Sequence, residues 1–247
     1  MLEIKDLCAS YGKKNVLFDI NTVIEDGKFT AVIGRNGSGK STFLSCIASS
    51  CKYSGSILLD GKSVSDFGKR DLAKRISYLP QTLPVTPFTV YETAAFGREP
   101  YTDLSGKLKD NDKKAVKDAL DRCSLCSLAE KRMDQVSGGE RQMAYLAMMM
   151  AQDADIMLLD EPTTYMDAPN AREFMNILTS ERDRGKAVVA VMHDLTGAVK
   201  YADNVILIDG GRLIFAGTRD DVLSSGIIES TMGVESCRLD NDSVVFI

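Results

Sequence analysis

Short apolar runs separated by glycine turns open the chain. Leu2 to Leu7, Val16 to Ile24, Phe29 to Ile33 and Ser56 to Leu59 each have the length and composition of a strand, and Gly12, Gly27, Gly55 and Gly61 punctuate them. Between Val90 and Met150 the texture changes to longer periodicity of helical type, with the charged stretch Lys107 to Lys114 at a loop-to-helix boundary. Ile156 to Leu159 and Ala187 to Met192 are then continuous apolar runs of buried-strand length, and the segment from Ala171 to Arg184 between them is composed like a helix. That order predicts a parallel strand–helix–strand unit. The tail offers a strand at Val205 to Ile208, the turn Asp209-Gly-Gly211, a strand at Leu213 to Ala216 and a short helix at Arg219 to Leu223. There is no internal repeat and no low-complexity segment. The pattern predicts an α/β core with a mostly helical subdomain inserted into it.

Composition narrows the class of protein. With 247 residues, 44% hydrophobic and 26% charged, the chain can bury a substantial core. A net charge of -5 leaves no basic footprint for nucleic acid. No apolar run reaches the roughly 18 to 20 residues that span a bilayer, and the start Met1-Leu-Glu-Ile-Lys-Asp6 lacks the features of a signal peptide, so the expected location is the cytosol. Six cysteines are too sparse for a disulfide framework, in keeping with a reducing compartment. The pair Cys123-Ser-Leu-Cys126 has no second pair of ligands nearby and reads as helix packing.

Candidate chemistry begins at Gly34-Arg35-Asn36-Gly37-Ser38-Gly39-Lys40-Ser41, which fits the phosphate-loop spacing G-x-x-x-x-G-K-[ST] between a strand and a helix-compatible run, Ser41 to Ser49. The glycines let successive backbone N–H groups point at phosphates, and the helix start adds partial positive charge. Lys40 is then placed for the β and γ phosphates and the Ser41 hydroxyl for Mg²⁺. A second constellation is the strand Ile156 to Leu159 ending in Asp160-Glu161. Adjacent residues point in different directions there, so Asp160 suits a metal shell and Glu161 an attacking water. A third, Val136-Ser137-Gly138-Gly139-Glu140-Arg141-Gln142, combines capping-box spacing with two glycines that leave N–H groups bare at a helix start. One γ-phosphate can use both cradles only if they face each other, within one chain or across a dimer. His193 after the strand Ala187 to Met192, Gln81 ending Ile76-Ser-Tyr-Leu-Pro-Gln81, and Tyr11 after the first strand each have an ordinary structural reading beside a functional one. Tyr11 is either a surface aromatic or a platform for adenine.

Taken together, the set resembles the ATP-binding cassette family over essentially the whole chain, by the order in which its motifs follow one another. The resemblance reads Gly34 to Thr42 as the Walker A loop, Gln81 as the Q-loop, Val136 to Gln142 as the signature and Ile156 to Glu161 as Walker B. It makes Asp167 of Thr164-Tyr-Met-Asp167 the D-loop acid, His193 the switch histidine and Tyr11 the adenine-stacking residue. Val136 departs from the family's usual Leu.

The resemblance implies a P-loop NTPase core with a mostly parallel sheet, an N-terminal antiparallel β subdomain and an inserted α-helical subdomain. Residues 1–87 and 152–247 would form the core and 88–151 the helical part. It further implies an ATPase that uses ATP and Mg²⁺, with Ser41, Gln81 and Asp160 around the metal and Glu161, His193 and Gln81 as catalytic groups. Two copies pair head to tail, so Ser137, Gly138 and Gly139 of one close over ATP on the loop of the other. The expected partners are a second copy, a membrane permease and, indirectly, a solute-binding protein, and the expected place is the cytoplasmic face of the membrane. Tyr78-Leu-Pro-Gln81, Gly97-Arg-Glu-Pro-Tyr101, His193-Asp-Leu195 and Lys200-Tyr-Ala-Asp203 are similar to importers of iron-siderophores, haem and cobalamin. A cassette ATPase acting without a membrane partner is disfavoured, because no long coiled-coil or zinc insertion interrupts the chain. Intact Lys40, Asp160, Glu161 and His193 argue against a non-catalytic module.

Overall fold

The computed structural model describes residues 1–103, 106–164, 166–238 and 244–247, so Tyr165 of the Thr164 to Asp167 stretch lies outside the described residues. Its strands are β1 (Leu2–Tyr11), β2 (Lys14–Ile24), β3 (Phe29–Ile33), β4 (Tyr53–Leu59), β5 (Lys62–Ser63), β6 (Ile76–Leu79), β7 (Ile156–Asp160), β8 (Ala187–Val191), β9 (Asn204–Asp209), β10 (Arg212–Thr218), β11 (Ser236–Arg238) and β12 (Val244–Phe246). Its helices are α1 (Lys40–Ile47), α2 (Lys69–Ala73), α3 (Val90–Ala95), α4 (Asp110–Arg122), α5 (Gly138–Gln152), α6 (Ala168–Asp183), α7 (Leu195–Tyr201), α8 (Arg219–Ser225) and α9 (Ile227–Met232).

The larger sheet runs β10-β9-β3-β8-β7-β6 and is parallel except for β10, while a second, antiparallel sheet runs β2-β1-β4-β5. Alternation along the buried strands divides the core in two. Phe29, Ala31 and Ile33, with Met157, Leu159, Val188, Ala190, Val205 and Leu207, face the helices α3 to α7. Val32, Leu158, Val189, Val191, Ile206 and Ile208 face α1 and the antiparallel sheet. Helix α1 therefore lies between the two sheets, and the loop that feeds it is held on both sides.

One turn ties the layers together. The Phe18 N–H donates to the Gly211 carbonyl at 2.9 Å, and the Gly211 N–H donates to the Ser38 carbonyl at 3.0 Å. Gly211 has φ 77, and a Cβ there would stand 2.1 Å from the Val16 carbonyl oxygen, so only glycine fits.

The segment between β6 and β7 is helical. Capping boxes start α3 (Thr89 with Glu92) and α5 (Ser137 with Glu140). Half-buried Arg98 knits the helices by donating to Asp112 at 2.9 Å and to the Ala151 carbonyl at 2.8 Å. Farther along, the buried Glu181 carboxylate of α6 takes the Arg122 guanidinium from the end of α4 and the ammonium of Lys186 at 3.4 Å. Cys123 is buried against the Met150 sulfur, whereas Cys126 is exposed, so the packing reading holds for Cys123 and not for Cys126.

The strand expected at Leu2 to Leu7 continues to Tyr11. Asp6 sits at φ 51 and the register with β2 shifts between Ile4 and Leu7, so a bulge resets the alternation partway along one continuous strand.

Candidate active site

The loop Gly34 to Gly39 links the end of β3 to the start of α1. Gly34, Gly37 and Gly39 take φ of 148, 75 and 105, and a Cβ on Gly34 would lie 1.9 Å from the Ile208 carbonyl oxygen. The sequence must therefore be glycine there. The Lys40 Nζ curls back to donate to the carbonyls of Gly34 at 2.9 Å and Arg35 at 3.0 Å. Burial pulls the Lys40 amine below its ordinary range, opposed by the charges of Glu161 and Asp160. The Ser38 hydroxyl is buried with no partner among the described residues, a donor waiting for an acceptor in the loop.

A cavity of about 450 Å³ opens over this loop, lined by Val16, Asn36 to Thr42, Gln81, Glu161 and His193. The end of β7 supplies its far wall. Asp160 is buried and accepts from the Ser41 hydroxyl at 3.0 Å. Burial pushes its carboxyl above the usual carboxylate range, the Ser41 hydrogen bond pulls down, and the neighbouring Glu161 charge adds to the rise. A buried carboxylate beside a hydroxyl is a donor set suited to a hard divalent cation.

Glu161 occupies the left-handed region at φ 51, and its N–H donates to the Val191 carbonyl at 3.2 Å. That backbone turn swings its side chain away from Asp160 and into the cavity. Gln81 Nε2 donates to Glu161 Oε2 at 2.6 Å, and His193 Nε2 lies 2.5 Å from Oε1. Three residues from three separate strand ends thus meet at one carboxylate.

Other expected residues stand apart. Gly34 and Arg35 meet Lys40 only through their carbonyls, and Tyr11 ends β1 at 55% exposure without lining the cavity. Ser137 and Gly138 are exposed at the start of α5, with Gly139 half-buried beside them, and none lines the cavity. Asp167 caps α6 by accepting from the Asn170 N–H at 3.0 Å. Sequence reasoning missed Val16, which looks like any strand residue, and Thr164, whose hydroxyl donates to the Glu161 carbonyl at 3.1 Å.

A phosphate cradle, a buried aspartate on its serine and a glutamate facing the gap define a nucleoside-triphosphate hydrolase built on a P-loop sheet. Residues 17–164 match the ABC transporter family model. The chain is 34% identical over 239 residues to the iron(3+)-hydroxamate import ATP-binding protein FhuC of Bacillus subtilis, covering 95% of this chain and 88% of that one. It is 35% identical over 244 residues to the ferric enterobactin transport ATP-binding protein FepC of Escherichia coli, covering 97% and 89%. Among solved structures, the dimeric bacterial cassette MJ0796 superposes with a TM-score of 0.79 at 25% identity, covering 89% of this chain and 99% of that one. This chain belongs to the ABC transporter family. It is an ATP-binding, ATP-hydrolysing cassette, and no described helix is long and apolar enough to cross a membrane.

Proposed function

We propose that the chain is the ATPase subunit of an importer of metal chelates, namely iron-siderophores, haem or cobalamin, and that it works as a head-to-tail homodimer on the cytoplasmic side of a membrane permease. The observation that carries the dimer reading is a mismatch: one cavity gathers Lys40, Ser41, Glu161, Gln81 and His193, with Asp160 behind Ser41, while the second cradle at Ser137 to Gly139 faces outward elsewhere. An exposed helix start with bare N–H groups suits the γ-phosphate of ATP held by another copy. The dimeric cassette noted above supports that pairing, and the names of the siderophore relatives support the substrate class.

In this reading the N–H groups of Asn36 to Thr42 and the Lys40 ammonium hold the phosphates, and Tyr11 stacks on adenine. Ser41, Asp160 and Gln81 would hold Mg²⁺, which supplies neutralisation of charge on the β and γ phosphates. Glu161 takes a proton from the attacking water while His193 holds the γ-phosphate. The new bond forms from that water oxygen to the γ phosphorus, and the bond to the departing ADP oxygen breaks. Asp167 would meet the partner across the closed interface.

The segment 88–151 then carries the closing motion outward. It presents Phe88 and Phe96 edge to face at 4.9 Å, both exposed, with exposed Val85 close in sequence, an apolar patch suited to a permease loop. The deciding experiment captures the tagged chain from membranes with its permease and assays uptake of iron-siderophores, haem and cobalamin. A permease for sugars or amino acids would overturn the substrate class.

A further inference from the structure

One turn into α5, Gln142 is buried among methionines and alanines. A buried amide in such a setting is costly unless it is bonded. Its Nε2 donates to the Pro162 carbonyl at 2.7 Å, and Pro162 directly follows Glu161. Tyr145, three residues on and so on the same helix face, donates its hydroxyl to the Pro84 carbonyl at 2.7 Å, in the loop that follows Gln81. Near the helix start, Gly139 faces the Asn170 side chain so closely that a Cβ would stand 3.3 Å from its Nδ2. One helix thus bears the outward cradle at its tip and grips two of the three loops that carry the catalytic side chains of its own cavity, those of Glu161 and Gln81.

We infer that Gln142 is a positioning residue that couples the two ATP sites of the dimer, with Tyr145 as its second grip. When ATP on the partner draws in Ser137 to Gly139, α5 moves as a rigid rod, and the Gln142 amide passes that movement through Pro162 to the set of Glu161 in the other site. Tyr145 does the same for Gln81. Neither side chain touches nucleotide or water. The inference rests on the head-to-tail dimer proposed above.

The test uses the full chain with Gln142→Met, which keeps length and burial but removes the donor, and with Tyr145→Phe, which removes only a hydroxyl. The readouts are ATP turnover against ATP concentration, thermal unfolding, and ATP-driven dimerisation of each variant combined with Glu161→Gln. Wild type is expected to hydrolyse ATP with a Hill coefficient above 1. In Gln142→Met the coefficient falls toward 1 and kcat drops about tenfold, with KM changed less than about twofold and the dimer intact, as for one lost buried hydrogen bond felt only in the reacting state. Tyr145→Phe moves the same way by less, and it carries the test alone if Gln142→Met fails to fold. An unchanged Hill coefficient and kcat in a normal dimer overturns the coupling alone, as does a fall in melting temperature matched by a parallel rise in KM. No ATP-driven dimer in Glu161→Gln by itself overturns the dimer reading and the coupling with it.

Discussion

Glu161 carries the heaviest chemical demand in the cavity, with Gln81, Thr164 and His193 at its oxygens and a left-handed backbone beneath it. Glu161→Gln keeps the shape and removes the basicity, so ATP turnover should fall by about 10² to 10⁴-fold while ATP binding, measured by calorimetry, stays within a few-fold. Asp160 gives a prediction of opposite sense. Its carboxyl is held above the usual range by burial, so the unfolded chain loses that proton at a lower pH than the folded one. The resulting penalty on the nucleotide-free protein is absent in strong acid, grows as pH rises through the unfolded value near ~3.9, and is complete above the folded value. Asp160→Asn should therefore melt higher than wild type at pH 7, by ~2 to 4 °C for each kcal/mol released. That gap should close below about pH 4, and the variant should lose Mg²⁺-dependent turnover.

At the scale of elements, the phosphate loop depends on packing against a neighbour strand as much as on its ligand. A Cβ on Gly34 would collide with the Ile208 carbonyl of β9, a backbone atom that cannot rotate aside. Gly34→Ala is expected to abolish ATP binding and to cost ~1 to 3 kcal/mol or more by urea unfolding. The join of α4 to α6 makes a separate prediction. Glu181 is buried against half-buried Arg122 and Lys186, so Glu181→Ala removes the carboxylate that both share and should cost ~1 to 3 kcal/mol in the same assay.

Periodicity made β3, β7, β8 and α6 legible, because buried strands and amphipathic helices announce themselves over several residues. Strand β6, helix α2 and the hairpin β11–β12 did not, being too short to set a period against their surroundings. The same limit applies to the site. Gly34 to Ser41 and Asp160-Glu161 are local patterns, whereas the grip of Gln142 on Pro162 spans 20 positions and that of Tyr145 on Pro84 spans 61, distances no spacing rule reaches.

For the whole molecule, the shared-site reading predicts rescue by mixing. Lys40→Ala spoils the loop and Ser137→Arg the outward cradle, so each homodimer carries a lesion in both composite sites. A mixed dimer concentrates both lesions in one site and leaves the other whole. Combining the two inactive proteins should restore ATP turnover, to at most about a quarter of wild type for random pairing and to less where the silent site no longer sets Glu161 of the whole one. Two proteins that stay silent together would mean that each chain completes its own site.

Surface hairpins are the usual places to add a tag or a reporter loop. In this chain they differ sharply. The β1–β2 turn at Gly12 has open space around it, with nothing within 4 Å of a Cβ there, so the fold should accept an insertion, at the cost of disturbing Tyr11 beside it. The β9–β10 turn looks equally innocent in sequence, yet Gly211 is the clasp between Phe18 and Ser38. An engineer who lengthens that turn would loosen the nucleotide loop from a distance, and a probe fixed beside it would sense whether ATP is bound.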